Sequence, residues 1–442
     1  MAGTTPARAL LFSVIFLAAL LAGCGAGYTR DMRSVTFDLR NDRPDLAVEE
    51  FRNTFTDSTG RNRLLYLMEL GNLLRLAGDY GAAERLLLEA DRLSDQQRGI
   101  RLGQEAGAFL TSDLALEFRG ADYEKVMINY CLAVCYAARG NMQDALVECR
   151  RVNDKLRALN VRYENNRNRY SDDAFIRYFM GILYEKSGDL NNALIAYRNS
   201  ATIYDSSYAR HYGISVPDRV ISDILRLSSR LGMQSLFQSY SSQWTDVQWE
   251  GQGPGPGSGE VVVILEMGLI PPKEEESQTF VVDDRVYRLA LPAIPRKRGA
   301  YGTVELSSGY LNSRGFLAED LTAIARKNLE DHAGRDIARA VARLSLKAGI
   351  SEAGEQIVEE LTEENSGISQ LTGFLLSVFG AATEEADLRA WLTLPASIYV
   401  ARLSLPAGEN PVEVTVNGRT IYREESLVLE PGEIKLLFLR DG

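Results

Sequence analysis

The sequence predicts an α+β chain. A helical repeat half over 24–250 is followed by a β-sandwich-like half over 260–442, which carries a helical insertion at 316–386. Three observations predict it. Small residues recur in one register in three separate segments. Beyond residue 260 the apolar spacing changes from helical to strand-like. Between the halves lies GQGPGPGSG, residues 251–259, whose glycines and prolines mark a linker.

The repeats occupy 64–91, 126–152 and 174–201. Their shared positions are Gly71, Gly78, Ala83 and Ala90; Ala133, Gly140, Ala145 and Val152; Gly181, Gly188, Ala193 and Ser200. The steps are seven, five and seven in every copy. A small residue at the first position lets a second helix cross close by. The glycine at the second stops a helix, because it tolerates the left-handed conformation. Asp79, Asn141 and Asp189 follow, residue types that start helices. Large residues such as Leu74, Leu87, Tyr136, Tyr184 and Tyr197 fill the gaps. This pattern resembles the tetratricopeptide repeat, a helix pair of about 34 residues. The turn glycines here are 62 and 48 residues apart, so helical insertions are expected at about 98–120 and 155–172.

Composition limits the function. The hydrophobic share is 45% and the charged share 25%, as in folded domains. A net charge of −11 argues against nucleic-acid binding, which needs a basic surface.

Residues 1–23 read as a targeting segment: Arg8, an apolar run from Ala9 to Leu21, then Leu21-Ala22-Gly23-Cys24. The run is short for a membrane span. Its end looks like a bacterial lipoprotein signal. That resemblance implies removal of 1–23 and acylation of Cys24, palmitate included. With Gly25 next, it also implies an outer-membrane protein facing the periplasm. Tyr28 to Thr56 follows, with a helix opening at Pro44-Asp45. Ala47 and Phe51 suit either an incomplete repeat capping the array or a lone packing helix.

The stretch from Gly120 to Asn153, including Tyr123, Glu124, Val147, Glu148, Arg150 and Arg151, resembles a family of uncharacterised bacterial lipoproteins with tetratricopeptide repeats. Two later stretches share the likeness: Glu266, Gly268, Leu269, Pro271 and Lys273; and Asp387, Arg389, Trp391, Leu394 and Pro395. The resemblance implies architecture and no activity.

Besides Cys24 there are Cys131, Cys135 and Cys149, read as packed and inert. A metal site lacks a fourth ligand nearby, since the only histidines are His211 and His332. No metal or cofactor is expected. Residues 204–249 read as helical and as closing the array. The 251–259 glycines do not make a phosphate loop: a strand follows, and no Lys-Ser or Lys-Thr ends the stretch.

In the second half, Glu260 to Gly268 is a continuous apolar strand. Further strands are read at 280–291, 303–306, 397–405 and 434–440. Val412, Val414 and Val416 alternate up to Asn417-Gly418, a hairpin turn, and 419–424 returns. Within 316–386, Leu317, Leu321, Ile324 and Leu329 mark a helical stripe. Ile368 to Phe379 suits either a buried helix or a membrane-surface contact.

No zinc-protease, serine-hydrolase or nucleotide-binding motif is present, and the chain is read as no enzyme. The function that follows is a lipid-anchored cell-envelope adaptor or scaffold. It would bind a periplasmic or outer-membrane protein or peptide, through a groove lined by the first helix of each repeat. By the tetratricopeptide resemblance the lining is Met68, Asn72 and Arg75; Tyr130 and Val134; Tyr178, Ile182, Glu185 and Lys186. The alternative is a peptidoglycan-acting hydrolase using acidic residues of the second half.

Overall fold

The structure is a computed structural model that describes residues 24–56, 59–99, 116–162, 170–247, 249, 257–282, 285–295, 301–332 and 386–442. Segment 1–23, positions 251–256 of the linker, the stretch 368–379 and most of the 316–386 insertion lie outside these residues.

The first half is built of α1 (Cys24–Asp31), α2 (Arg33–Arg40), α3 (Pro44–Thr54), α4 (Arg63–Leu76), α5 (Tyr80–Gly99), α6 (Asp122–Ala138), α7 (Met142–Arg162), α8 (Ala174–Lys186) and α9 (Leu190–Ile203). A π-helical turn at Tyr204–Tyr208 leads into α10 (Ala209–Tyr212), then α11 (Asp218–Arg230) and α12 (Gln234–Gln243). The pairs α4–α5, α6–α7 and α8–α9 are tetratricopeptide-like hairpins in the register of the small residues. Gly78, Gly140 and Gly188 have φ of 81°, 80° and 80°. Each second helix is capped by the residue after its turn glycine: the Asp79, Asn141 and Asp189 side chains accept from the amides of Ala82, Asp144 and Asn192. A methyl group on Gly71 would sit 2.8 Å from Leu87, and one on Gly181 would enter the Tyr197 ring.

Two further hairpins share this geometry. In α2–α3 the turn residue is Asp42, with φ of 54°, flanked by buried Val35 seven residues before and Ala47 five after. In α11–α12 it is Gly232, with φ of 69°, between Leu225 and Phe237. Aspartate enters the left-handed region more readily than most side chains. The wide spacing of the repeats is met partly by long second helices: α5 has 20 residues and α7 has 21, against 14 in α9.

The second half contains β1 (Ser258–Met267), β2 (Glu274–Val282), β3 (Arg285–Ala293), β4 (Val304–Ser308), β5 (Leu311–Arg314), β6 (Phe316–Glu319), β7 (Ser397–Pro406), β8 (Gly408–Val416), β9 (Arg419–Leu429) and β10 (Ile434–Asp441). One sheet has the order β10-β1-β7-β6, the other β5-β4-β8-β9, and among the described residues β2 pairs only with β3. β1 runs parallel to β10 and antiparallel to β7. At the β8–β9 turn Asn417 and Gly418 have φ of 51° and 79°, the geometry of the two-residue hairpin.

The first sheet is a middle layer. Val262, Ile264, Ile398 and Val400 join the helical core, while Val261, Val263, Leu265, Ala401 and Leu403 share a second core with Val304, Leu306, Val412 and Val414 of the other sheet. Both faces of β1 are covered, which is why it reads as an unbroken apolar run. Two expectations are corrected. The region 280–291 is not one strand but parts of a hairpin, β2–β3. Residues 316–319 are a strand pairing with β7, and helix begins at 321. Between the insertion and β7, residues 386–396 form neither helix nor strand. No helix among the described residues is long and apolar enough to cross a membrane.

Candidate functional site

The concave side of the helical array is lined by α4, α6, α8 and α11, and it is filled by the chain's own second half. The filling begins with the segment 387–395. Glu69 of α4 accepts from the amides of Leu392 and Thr393, at 2.7 and 3.1 Å. Glu124 of α6 accepts from the amide of Trp391 at 2.7 Å. Asn72 donates to the carbonyl of Thr393 at 2.9 Å and to its Oγ1 at 3.1 Å. Two helical carboxylates and one amide therefore satisfy the backbone of an irregular segment that is buried. Trp391 is fully enclosed, its indole donating to Thr393 Oγ1. At the near end Arg389 is held by Asp387, Asn62 and the carbonyl of Leu116.

The first sheet continues the filling. Glu266 of β1 meets Arg75 at 2.7 Å and accepts from the Tyr130 hydroxyl at 2.9 Å. Arg402 of β7, 1% exposed, reaches Asp223 at 3.0 Å, Glu185 at 3.1 Å, the Tyr197 hydroxyl at 2.9 Å and Glu260 at 3.1 Å. Arg226 and Arg219 complete the cluster on Glu185, Asp223 and Glu260. Three guanidiniums thus face three carboxylates, and every one of them is hydrogen-bonded. A buried cluster of this kind is tolerable only under that condition.

The electrostatics follow. Burial raises the Glu69 carboxyl to about 7, although its four donors pull it down. Burial also acts on Glu185, but Arg402 and Arg226 overcome it and hold the acid down at about 2. Asp223 is likewise depressed, by Arg219, Arg402 and Arg226 working against burial. At the π-helical turn, the Tyr208 hydroxyl donates to Glu319 of β6, which burial and the nearby Asp173 push well up.

The nine residues read as a groove lining occupy this face, but the face is closed. Met68, Val134 and Ile182 are buried in the core. Asn72, Arg75 and Tyr130 hold Thr393 and Glu266 as described. Tyr178 donates to Asp223 at 2.6 Å and packs edge-on to Phe316. Glu185 binds Arg402 and Arg226, and the half-buried Lys186 donates to the carbonyl of Ile434. The sequence reading missed their partners Thr393, Asp223, Arg226 and Arg402, and with them Glu69 and Glu260, which complete the closure. A signal was available for some: Glu260 and Glu266 bracket an apolar run, and Arg402 interrupts another. Glu124, Glu266, Asp387, Arg389 and Trp391, noted only as family markers, all lie at this junction.

The three cysteines Cys131, Cys135 and Cys149 are buried and free. Burial pushes the first two up to about 12 and the third still higher.

Fold and site together define a helical-repeat protein whose concave face is closed by a sheet from the same chain. No family model matches the sequence, and no curated protein matches it. Among solved structures, it is similar to a putative kinesin light chain with nearly identical TPR-like repeats from Podosopora anserina, at 15% identity over 51% of this chain and 96% of that one, with a TM-score of 0.34. MamA is similar at 15% identity over 47% and 91%, with a TM-score of 0.30. BtubC of P. vanneervenii is similar at 13% identity over 50% and 80%, with a TM-score of 0.35. The repeat assignment rests on the helices and their register, not on these low scores.

Proposed function

We propose that this chain is a lipid-anchored cell-envelope scaffold for a protein partner, engaged from outside the helical array rather than in its groove. The observation that carries the reading is the occupied concave face: the 387–395 segment and the first sheet already take the place a peptide would have. In this reading the helices hold the sheets, and the outer surface meets the partner. Val147 and Ile195 support it. They stand at the same repeat position, seven residues after the turn glycine, and are 37% and 53% exposed. The anchor is Cys24, in the Leu-Ala-Gly-Cys setting of a lipoprotein signal, and the outer membrane facing the periplasm is the location. We propose no enzymatic activity. Among the described residues the buried acids Glu260, Glu266 and Glu319 are engaged by arginines and tyrosines, which gives the peptidoglycan-hydrolase reading no support.

The test is crosslinking of the native protein in its own membrane, with partners identified by mass spectrometry. A reproducible partner lost on Val147→Asp with Ile195→Asp, in a chain that still folds, supports the reading. A partner retained by that variant moves the contact elsewhere, and no partner at all overturns the scaffold.

A further inference from the structure

We propose that the outward stripe of the first two helices, centred on Arg33, Phe37 and Arg40, is a seat for an anionic lipid surface. The inference rests on the lipid-anchor reading of Cys24 and adds to it a second, protein-borne contact. Helices α1 and α2 run almost without a break: the amides of Met32 and Thr36 donate to the carbonyls of Tyr28 and Met32, at 3.0 and 2.9 Å. One stripe of this helix, Tyr28, Met32, Val35 and Leu39, is buried against the array. The opposite stripe is Arg30, Arg33, Phe37 and Arg40, at spacings of three, four and three, and all four residues are exposed.

The chemistry of that stripe is basic and aromatic. Phe37 is 60% exposed, with the Arg43 guanidinium 5.7 Å above its ring. Acids are nearby: Asp31 pairs with Arg30 at 3.4 Å and Asp38 with Arg43 at 2.8 Å, and Asp42 follows in the turn. Among the described residues Arg33 and Arg40 have no ion pair, so two guanidiniums remain on either side of an exposed ring. Such a face lies at the boundary between headgroups and acyl chains.

The geometry also fixes where this face would be. Cys24 begins α1, thirteen residues before Phe37, or about 20 Å along a helix. The helix cannot swing away, because the Tyr28 hydroxyl donates to buried Glu69 at 2.8 Å and Arg440 donates to the Leu39 carbonyl at 2.6 Å. An acyl group on Cys24 therefore keeps the stripe within about 20 Å of the bilayer, with no slack chain between them.

The experiment uses the full chain in vesicles of phosphatidylcholine and phosphatidylglycerol with brominated acyl chains. Mass analysis of the N-terminal peptide first reports whether Cys24 is acylated. In acylated protein carrying Phe37→Trp, bromine quenching of the added indole emission, relative to the parent, is expected. An unquenched added indole overturns the proposal and leaves the anchor intact. If Cys24 is not acylated, the anchor reading fails, and flotation of the soluble chain with the same vesicles decides the surface by itself. There Arg33→Gln with Arg40→Gln should lower binding about 30-fold, at ~1 kcal/mol per arginine near an anionic surface. No binding of the parent chain, or binding indifferent to both changes, overturns it.

Discussion

Arg402 and Asp223 lie 179 residues apart in the chain and 3.0 Å apart in the fold, where both are sealed from solvent. One comes from the middle sheet and the other from the fourth helix of the concave face. Their contact joins the two halves through charge, where apolar packing alone would join them without specifying register.

Removing the arginine is therefore expected to cost more than the usual core substitution. Arg402→Met leaves Glu185, Asp223 and Glu260 with only Arg219 and Arg226 to answer them. Breaking a buried cluster in this way costs roughly 3–5 kcal/mol. Urea unfolding should show a large fall in midpoint. A change under about 1 kcal/mol would mean that the cluster is hydrated and weak.

Gly181→Ala sets two effects against each other. Alanine is favoured over glycine in a helix by about 1 kcal/mol. The added methyl, however, would occupy the Tyr197 ring, which is itself fully buried and hydrogen-bonded to Glu185. Overpacking of that kind costs about 1–3 kcal/mol. Net destabilisation is expected by chemical denaturation. Gly188→Ala should also destabilise, for a different reason: no atom crowds it, but its φ of 80° costs about 1–2 kcal/mol for a side chain.

Stability should fall as pH rises from about 4 to 7. Burial raises Glu69 from 4.5 to about 7 and Asp173 from 3.8 to about 6. Groups raised in the folded state bind protons more tightly there than in the unfolded chain. Their contribution is fully present below the unfolded values and is lost as pH climbs through the folded ones. Glu185, lowered to about 2, acts in the opposite sense, supporting the fold above its unfolded value and failing as pH falls towards 2. Thermal unfolding against pH should thus peak near pH 4, where the two effects balance. Glu319→Gln should flatten the alkaline arm, since burial also raises Glu319. A midpoint that climbs steadily from about pH 4 to 7 would contradict the assignment.

Cys131, Cys135 and Cys149 should resist a thiol reagent in the native protein and all react once it is unfolded. Burial both blocks access and keeps the first two protonated, with values of about 12. Peptide mapping after brief alkylation at pH 8 checks this. Modification of any of the three in the folded state would show that the second repeat opens.

Much of the architecture was legible in the chain because it depends on local physics. The 7-5-7 spacing of Gly71, Gly78, Ala83 and Ala90, twice repeated, defines helix hairpins through close crossing and left-handed turns. Asn417-Gly418 defines its β-turn by the same conformational need. Of the α2–α3 hairpin only the second helix was legible, as an incomplete repeat or a lone packing helix, because Val35 and Asp42 stand where the other copies have small residues and glycine. Aspartate can hold the required φ, but nothing in the sequence says that it does.

The face that the array presents inward is a consequence of local sequence: Met68, Tyr130, Tyr178 and their neighbours recur where first helices look into the groove. What covers that face was settled only by tertiary structure. Asn72 finds Thr393 across 321 residues, and Arg75 finds Glu266 across 191. Pairings at such separation carry no periodicity or turn signal: apolar neighbours hint that Glu260, Glu266 and Arg402 are buried, but nothing in the sequence names their partners. Helical repeats and alternating strands follow from neighbours a few residues away. The closure of the groove follows from burying two apolar surfaces against each other and answering every charge trapped between them.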